Sequence, residues 1–145
     1  DQEGNYLVKA ESVWFFCDTE KMIPVRVMPE DVEAYGEGEA LDLGKAPRKI
    51  AVPENYEEET PVTIAVHHLD TNHHVNNAQY VDIAREAVTC TKKVKEIRVD
   101  YKKAAVLGEV LIPRVTKTGE DEWTIVLAGE DKEIRAVVWL KYEEA

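Results

Sequence analysis

Serine is nearly missing from this chain: Ser12 is the only one in 145 residues, and no G-x-S-x-G turn surrounds it, which leaves a serine-nucleophile hydrolase without its signature. Cysteine is scarce too. Cys17 and Cys90 stand in unrelated contexts, form no C-x-x-C pair, and read as small core residues of a protein in a reduced, cytoplasmic setting. Long apolar runs are lacking, the longest being about five residues as in "AVVWL" at 136–140, against the ~20 that a bilayer span requires, so no membrane span is expected. The first residues show no basic-then-apolar leader pattern. Positive charge is in deficit as well. Eighteen Lys and Arg face 29 Asp and Glu, a formal charge of −11, which argues against nucleic acid as a partner because phosphates demand a basic face. No internal repeat and no low-complexity tract occurs.

What is present is the balance of one soluble globular domain, 44% hydrophobic and 32% charged. The charge is unevenly spread. Residues 31–60 hold nine acids against three bases, net −6, whereas residues 85–103 hold seven bases against three acids, net +4. A basic stripe on an acidic protein can steer an acidic partner, and from charge alone it can equally be a solvated strand face.

Periodicity divides the chain. "NYLVKAESVWFFC" at 5–17 alternates Tyr6, Val8, Ala10, Ser12 and Trp14, and "CDTEK" turns it into a second strand, "MIPVRVM", at 22–28, so residues 1–29 read as a hairpin. Over 30–60 glycines, prolines and acids interrupt any long element; this is read as an acidic connector with a short helix at 30–35. "PVTIAV" at 61–66 is a strand candidate. "NNAQYVDIAREAVT" at 76–89 repeats apolar groups at Tyr80, Ile83, Ala84, Ala87 and Val88, a helix with one buried stripe that Asn76 or Asn77 can cap. Strands follow around 94–104, 107–116, 122–128 and 133–142, with "TKTGEDE" and "AGEDKE" as hairpin turns. The expected class is therefore α+β, an antiparallel sheet whose apolar face is covered by one long helix. Trp14, Trp123 and Trp139 fall at alternation positions and are expected in core packing.

Between strand and helix lies "HHLDTNHHVNNAQY" at 67–80, which gathers all four histidines into eight positions. Zinc needs three or four converging ligands, but adjacent histidines on a strand point to opposite faces, so no metal is expected. A polar loop entering a helix aims backbone N–H groups, near residues 75–78, at whatever lies above, and can stabilise a developing oxyanion. Asp70 can then activate water or attack directly, Asn72 can hold the water or the carboxylate, and His74 can orient the group or move a proton. The plainer alternative is that Asp70, Asn72 and Asn76 only satisfy turn and cap hydrogen bonds. Spacing leaves both open.

"LDTNHHVNNAQYVDIARE" at 69–86 resembles the D-x-N-x-H-V-N-N-x-x-Y signature of the acyl-acyl-carrier-protein (acyl-ACP) thioesterases, a hot-dog-fold family, with Asp70, Asn72, His74, Val75, Asn76, Asn77 and Tyr80 in register. "AESVWFFCD" at 10–18 resembles the strand that closes the first hot-dog lobe of that family, and "VDYKKAAVLGE" at 99–109 the strand after the second lobe's helix. The resemblance implies an antiparallel sheet wrapped around one long helix, release of free fatty acids from acyl carrier protein in fatty acid biosynthesis, and no metal or cofactor. It also implies catalytic roles for Asp70, Asn72 and His74, with Asn76 and Asn77 at the oxyanion-binding helix start. Residues 61–145 would form the complete catalytic lobe, and residues 1–29 the end of a truncated first lobe, with self-association into a homo-oligomer through the exposed sheet edge as compensation.

One departure is chemical. After the tyrosine and two basic residues of the post-helix strand the family commonly carries an acidic residue, but "YKKAAV" has Ala104 and Ala105 there, so hydrolysis is expected to be weak. Glu86 is no substitute, lying ten residues beyond Asn76, about 15 Å along a helix that rises ~1.5 Å per residue. Because acyl carrier proteins are acidic, docking would fall to Lys92, Lys93, Lys95, Lys102 and Lys103. Two alternatives stand beside this reading: a single-lobe acyl-CoA thioesterase, and a non-catalytic acyl-binding or dimerising hot-dog module.

Overall fold

The hairpin-rich stretch after residue 90 forms the centre of an antiparallel sheet in the computed structural model, which describes every residue except 22, 37, 45, 46, 144 and 145. Strands β1 (Phe16–Asp18) and β2 (Ile23–Val25), with helix α1 (Pro29–Tyr35), belong to one unit, residues 1–46. The second unit, residues 47–145, holds β3 (Glu57–Glu58), β4 (Val62–Thr63), a 3₁₀ turn (Val66–His68), α2 (Asn77–Glu86), β5 (Val94–Tyr101), β6 (Val110–Gly119), β7 (Glu122–Gly129) and β8 (Ile134–Tyr142). Its six-stranded sheet runs β3-β6-β7-β8-β5, with β4 also on β6. All pairings are antiparallel. The architecture is the α+β arrangement expected, although α2 ends at Glu86, three residues short of the periodic stretch.

The turn residues explain the register of the central hairpins. Gly119 pairs with Glu122 across a two-residue turn, and the β7-to-β8 turn is closed by Gly129 N–H on the Glu133 carbonyl at 2.9 Å, with Lys132 at φ 66°. Pairing then places Leu111 of β6, Ile125 and Leu127 of β7, and Ala136, Val138 and Leu140 of β8 on one face, all fully buried. The stripe of α2, Tyr80, Ile83 and Ala84, together with Val88, closes this core against β7 and β8. Burying a Leu or Ile side chain stabilises by about 1.5–3 kcal/mol.

Alternation does not hold on β7, where residues 124–129 are all buried. Residues 47–59 bond to β5 and β6, the strands on either side of the β7 and β8 pair. The Pro47 carbonyl accepts from the Arg98 guanidinium on β5, the Asn55 carbonyl accepts from Thr116 Oγ1 on β6 at 2.7 Å, and Tyr56 lies under Arg114 at 4.9 Å. Val126 and Val137 are buried on the sheet's second face, and Trp139 is half-buried there with Arg98 5.9 Å from its ring. Trp123 packs edge-on against Tyr142 at 5.2 Å on the helix side.

Several expected elements differ. The strand over 5–17 is confined to its last two residues plus Asp18, the second strand to Ile23–Val25, and Met22 lies outside the described residues. Trp14 is 82% exposed instead of packed in a core. Alternation specifies a strand only where one face is buried, and in residues 1–30 every described residue but Asp18 is exposed. The expected strand at 61–66 pairs only through Val62 and Thr63; Ile64 N–H then bonds the Glu109 carbonyl at 2.8 Å and the chain tightens into the 3₁₀ turn. Strands expected at 94–104 and 107–116 leave a loop at 102–109, because the N–H groups of Lys102 and Lys103 both turn to the Arg135 carbonyl and Gly108 takes φ 81°. Among the described residues no helix is long and apolar enough to cross a membrane.

Leu127→Ala opens the centre of the buried face and is expected to cost about 3 kcal/mol in urea denaturation. The exposed Leu107→Ala is expected to stay within about 0.5 kcal/mol of the unsubstituted chain.

Candidate active site

Asp70 organises the polar loop. Its backbone N–H bonds the His74 carbonyl at 2.8 Å, its carbonyl accepts from His73 N–H at 3.1 Å, and Leu69 bridges to Val75, so residues 69–75 close a tight turn. His73 sits inside it at φ 60°, the left-handed region. One carboxylate oxygen, Asp70 Oδ1, accepts from Asn72 N–H at 2.8 Å and from His74 N–H at 3.3 Å. Among the described residues Oδ2 has no partner, and the Asn72 and His74 side chains form no hydrogen bond. Asp70 is half-buried; Asn72 and His74 are exposed. The turn thus brings the three sequence-selected residues together by backbone bonds, with their reactive atoms left over.

The helix start is more occupied than the sequence reading has it. Asn76 is the N-cap, its side-chain oxygen accepting from Ala78 N–H at 2.9 Å and its carbonyl from Gln79 N–H at 2.9 Å. Val75 N–H bonds the Ala105 carbonyl and Asn76 N–H bonds the His68 carbonyl, each at 2.9 Å. Of the N–H groups near 75–78, only that of Asn77 is without a partner among the described residues. A single backbone donor at the positive end of α2 remains for an incoming oxygen.

The histidine pair upstream lies on the 3₁₀ turn, not on a strand, so the opposite-faces argument does not apply: the His67 and His68 rings stand side by side, centroids 4.0 Å apart. His68 Nδ1 accepts from Ala65 N–H at 2.9 Å. Its imidazole is pushed down from the ordinary range by burial first and by His67 second, with Glu86 opposing. His68 is thereby a structural residue of the loop's entry. Among the described residues no three His, Cys, Asp or Glu side chains gather as metal ligands would.

Two tyrosines tie the helix to the segment behind the loop. The Tyr80 hydroxyl, buried, accepts from Ala105 N–H at 2.8 Å, and burial holds its pKa above the usual phenol value. Tyr101 donates to the Asn77 carbonyl at 3.0 Å and meets Tyr80 edge-on at 5.8 Å. His74 bridges to Val106. Sequence reasoning names Tyr80 on the helix stripe and within the signature but gives its hydroxyl no partner, and it names Ala105, which acts through its backbone, only for the carboxylate it lacks. Ala104 is exposed one residue away and supplies no carboxylate. Glu86 closes α2 at the end opposite the loop, beside Asp82, Arg85, Cys90, Lys92 and Tyr142 around a shallow pocket.

The basic stripe is partly neutralised within the fold. Lys92 pairs with Asp121 at 2.6 Å, Lys102 with Asp100, and Lys103 with Glu133. These acids come from other parts of the sheet or from the same strand, and a count along residues 85–103 misses two of the three. Lys93 and Lys95 are exposed and have no side-chain partner among the described residues.

Comparison with known proteins shows the family. The family model described as the acyl-ACP thioesterase C-terminal domain matches residues 52–139, more than half of the chain, and the chain belongs to that family. Among solved structures it is similar to an acyl-ACP thioesterase from Bacteroides thetaiotaomicron, with a TM-score of 0.76 and 16% identity over 88% of this chain and 53% of that one. It is also similar to the 12:0-ACP thioesterase from Umbellularia californica, with a TM-score of 0.69 and 16% identity over 88% of this chain and 52% of that one. A hypothetical protein from Staphylococcus aureus solved in complex with CoA aligns with a TM-score of 0.56 and 17% identity over 62% of this chain and 76% of that one. The fold is the hot-dog fold these proteins share, and the chain spans about half the length of the first two. A search of curated proteins found no match.

Asn76→Ala removes the cap oxygen, and thermal or urea unfolding is expected to report a loss of about 1 kcal/mol.

Proposed function

We propose that this chain carries the reacting loop of an acyl-ACP thioesterase and hydrolyses fatty acyl thioesters of acyl carrier protein, releasing free fatty acid as fatty acid biosynthesis requires. The observation that carries the reading is the division of labour in the Asp70 carboxylate: Oδ1 holds the turn, while Oδ2 has no partner among the described residues and lies in the same turn as Asn72 and His74. Membership of the family supports the substrate class.

In the proposed reaction Asp70 takes a proton from a water held by Asn72 as the water oxygen bonds to the thioester carbon. The carbonyl oxygen becomes negative facing the Asn77 N–H at the start of α2, where a donor and the helix dipole both favour it. Collapse breaks the carbon–sulfur bond, and the sulfur receives the proton through His74. The products are the free acid and the carrier thiol, with no cofactor. Lys93 and Lys95, the lysines of the stripe without a side-chain partner among the described residues, are the proposed contact for the acidic carrier, with Lys92, Lys102 and Lys103 held by their own carboxylates.

A second reading, a non-catalytic hot-dog module, is favoured by Ala104, which puts no carboxylate beside the loop, and by the turn and cap bonds that already engage Asp70 and Asn76. One substitution separates the two. Asp70→Asn keeps an oxygen at the Oδ1 position for the turn and removes the base. Free-thiol release from long-chain acyl-ACP is expected to fall by about 100-fold or more, with unfolding unchanged. No release by the unsubstituted chain from acyl-ACP or acyl-CoA would favour the second reading.

For the carrier, reversing Lys93 and Lys95 to Glu is expected to lower kcat/KM on acyl-ACP by about threefold or more and leave acyl-CoA unaffected, with the difference shrinking as salt rises. Equal rates on both carriers before and after reversal would remove this surface from consideration.

A further inference from the structure

Tyr80 takes no part in the proposed chemistry, yet it stands at one end of a short hydrogen-bonded path that ends in the reacting loop. Its hydroxyl accepts Ala105 N–H at 2.8 Å, and Ala105 returns its carbonyl to Val75 N–H at 2.9 Å. Val75 lies between His74, itself bridged to Val106, and the cap residue Asn76. The path leaves the chain at Val75 and re-enters it five residues later at Tyr80, enclosing the start of α2 and the Asn77 N–H. All three residues on it are sealed from water: Tyr80 is 2% exposed, Ala105 0% and Val75 3%.

We infer that Tyr80 is a positioning residue, whose hydroxyl fixes Ala105 and through it the placement of the loop carrying Asp70 and His74 relative to the start of α2. The physical reason is that Ala105 N–H is buried and has no other acceptor among the described residues, so without the hydroxyl it must either remain unpaired or move to reach one. Movement of Ala105 carries its carbonyl, and with it Val75, out of place. A phenylalanine fills the same volume and keeps the edge contact with Tyr101, so the ring's packing and the hydroxyl's bond can be separated. The catalytic half of this inference rests on the thioesterase reading; the structural half does not.

The test is Tyr80→Phe, read by amide hydrogen exchange and by steady-state hydrolysis of acyl-ACP. The amides of Ala105 and Val75 are expected to exchange about tenfold faster while those of β7 and β8 keep their protection. Placement errors act on the transition state, so kcat is expected to fall about tenfold with KM within about twofold. Tyr101→Phe, which breaks only the bond to the Asn77 carbonyl, is expected to leave Ala105 and Val75 exchange as in the unsubstituted chain. Unchanged exchange at both amides in Tyr80→Phe overturns the inference, and so does a kcat within about twofold of the original despite faster exchange. Uniform loss of protection across β7 and β8 also overturns it, since Tyr80 would then be a core residue only. If the unsubstituted chain hydrolyses no thioester, the functional reading fails, and the exchange comparison still decides whether the hydroxyl sets the loop.

Discussion

The hydrogen bond from Val75 N–H to the Ala105 carbonyl is the contact on which the rest of the site depends. A loop of aspartate, asparagines and histidines has almost no apolar surface with which to hold itself, and its one buried residue is Val75. Backbone bonds must therefore do what packing does elsewhere. The segment at 102–109 acts as the backing to the loop, and is itself held at both ends by Arg135: its carbonyl takes Lys102 N–H and Lys103 N–H, and its guanidinium takes the Glu109 carboxylate at 3.1 Å. Arg135 is 4% exposed and also bonds Asp131 at 2.8 Å, so a buried charge is matched by acids on the neighbouring turns.

Arg135 stands on β8, which like β7 is buried on both faces along much of its length. α2 packs on β7 and β8, residues 47–59 bond the neighbouring strands β5 and β6, and Arg135 projects from β8. The proposed catalytic residues stand on a loop, and Val75 N–H ties that loop through the Ala105 carbonyl to the segment that Arg135 holds. Precision at the loop is inherited from the core by a chain of hydrogen bonds.

The same logic separates what the sequence reveals from what it hides. α2, β6, β7 and β8 were legible because apolar residues recur at helical or strand spacing and the turns at Gly119 and Gly129 punctuate them. Asp70, Asn72 and His74 were legible as polar residues concentrated before a helix cap. The strand at 5–15 was misread because alternation says which residues share a face, and not whether anything lies against that face. The expected strands at 94–104 and 107–116 run into the loop at 102–109 from both ends, because the backbone bonds there go to Arg135, more than thirty residues away in the chain, and to a tyrosine hydroxyl. Three of five stripe lysines looked free because two of their acids, Asp121 and Glu133, are distant in sequence, and the third, Asp100, was counted without its geometry.

Turn residue and catalytic residue, posed as alternatives by the sequence, are not alternatives for a carboxylate. Asp70 has two oxygens, and the turn uses one of them twice. Two N–H donors on Oδ1 fix the plane of the group, and among the described residues Oδ2 keeps no partner of its own. With Ala104 where the sequence resemblance leads to the expectation of an acidic residue, orientation of the Asp70 carboxylate falls to the backbone bonds of the turn. A loop whose geometry is set by main-chain bonds tolerates such a replacement structurally, because no side-chain contact of the turn passes through position 104. In the proposed reaction the cost of Ala104 falls on rate, while the shape of the loop stays intact.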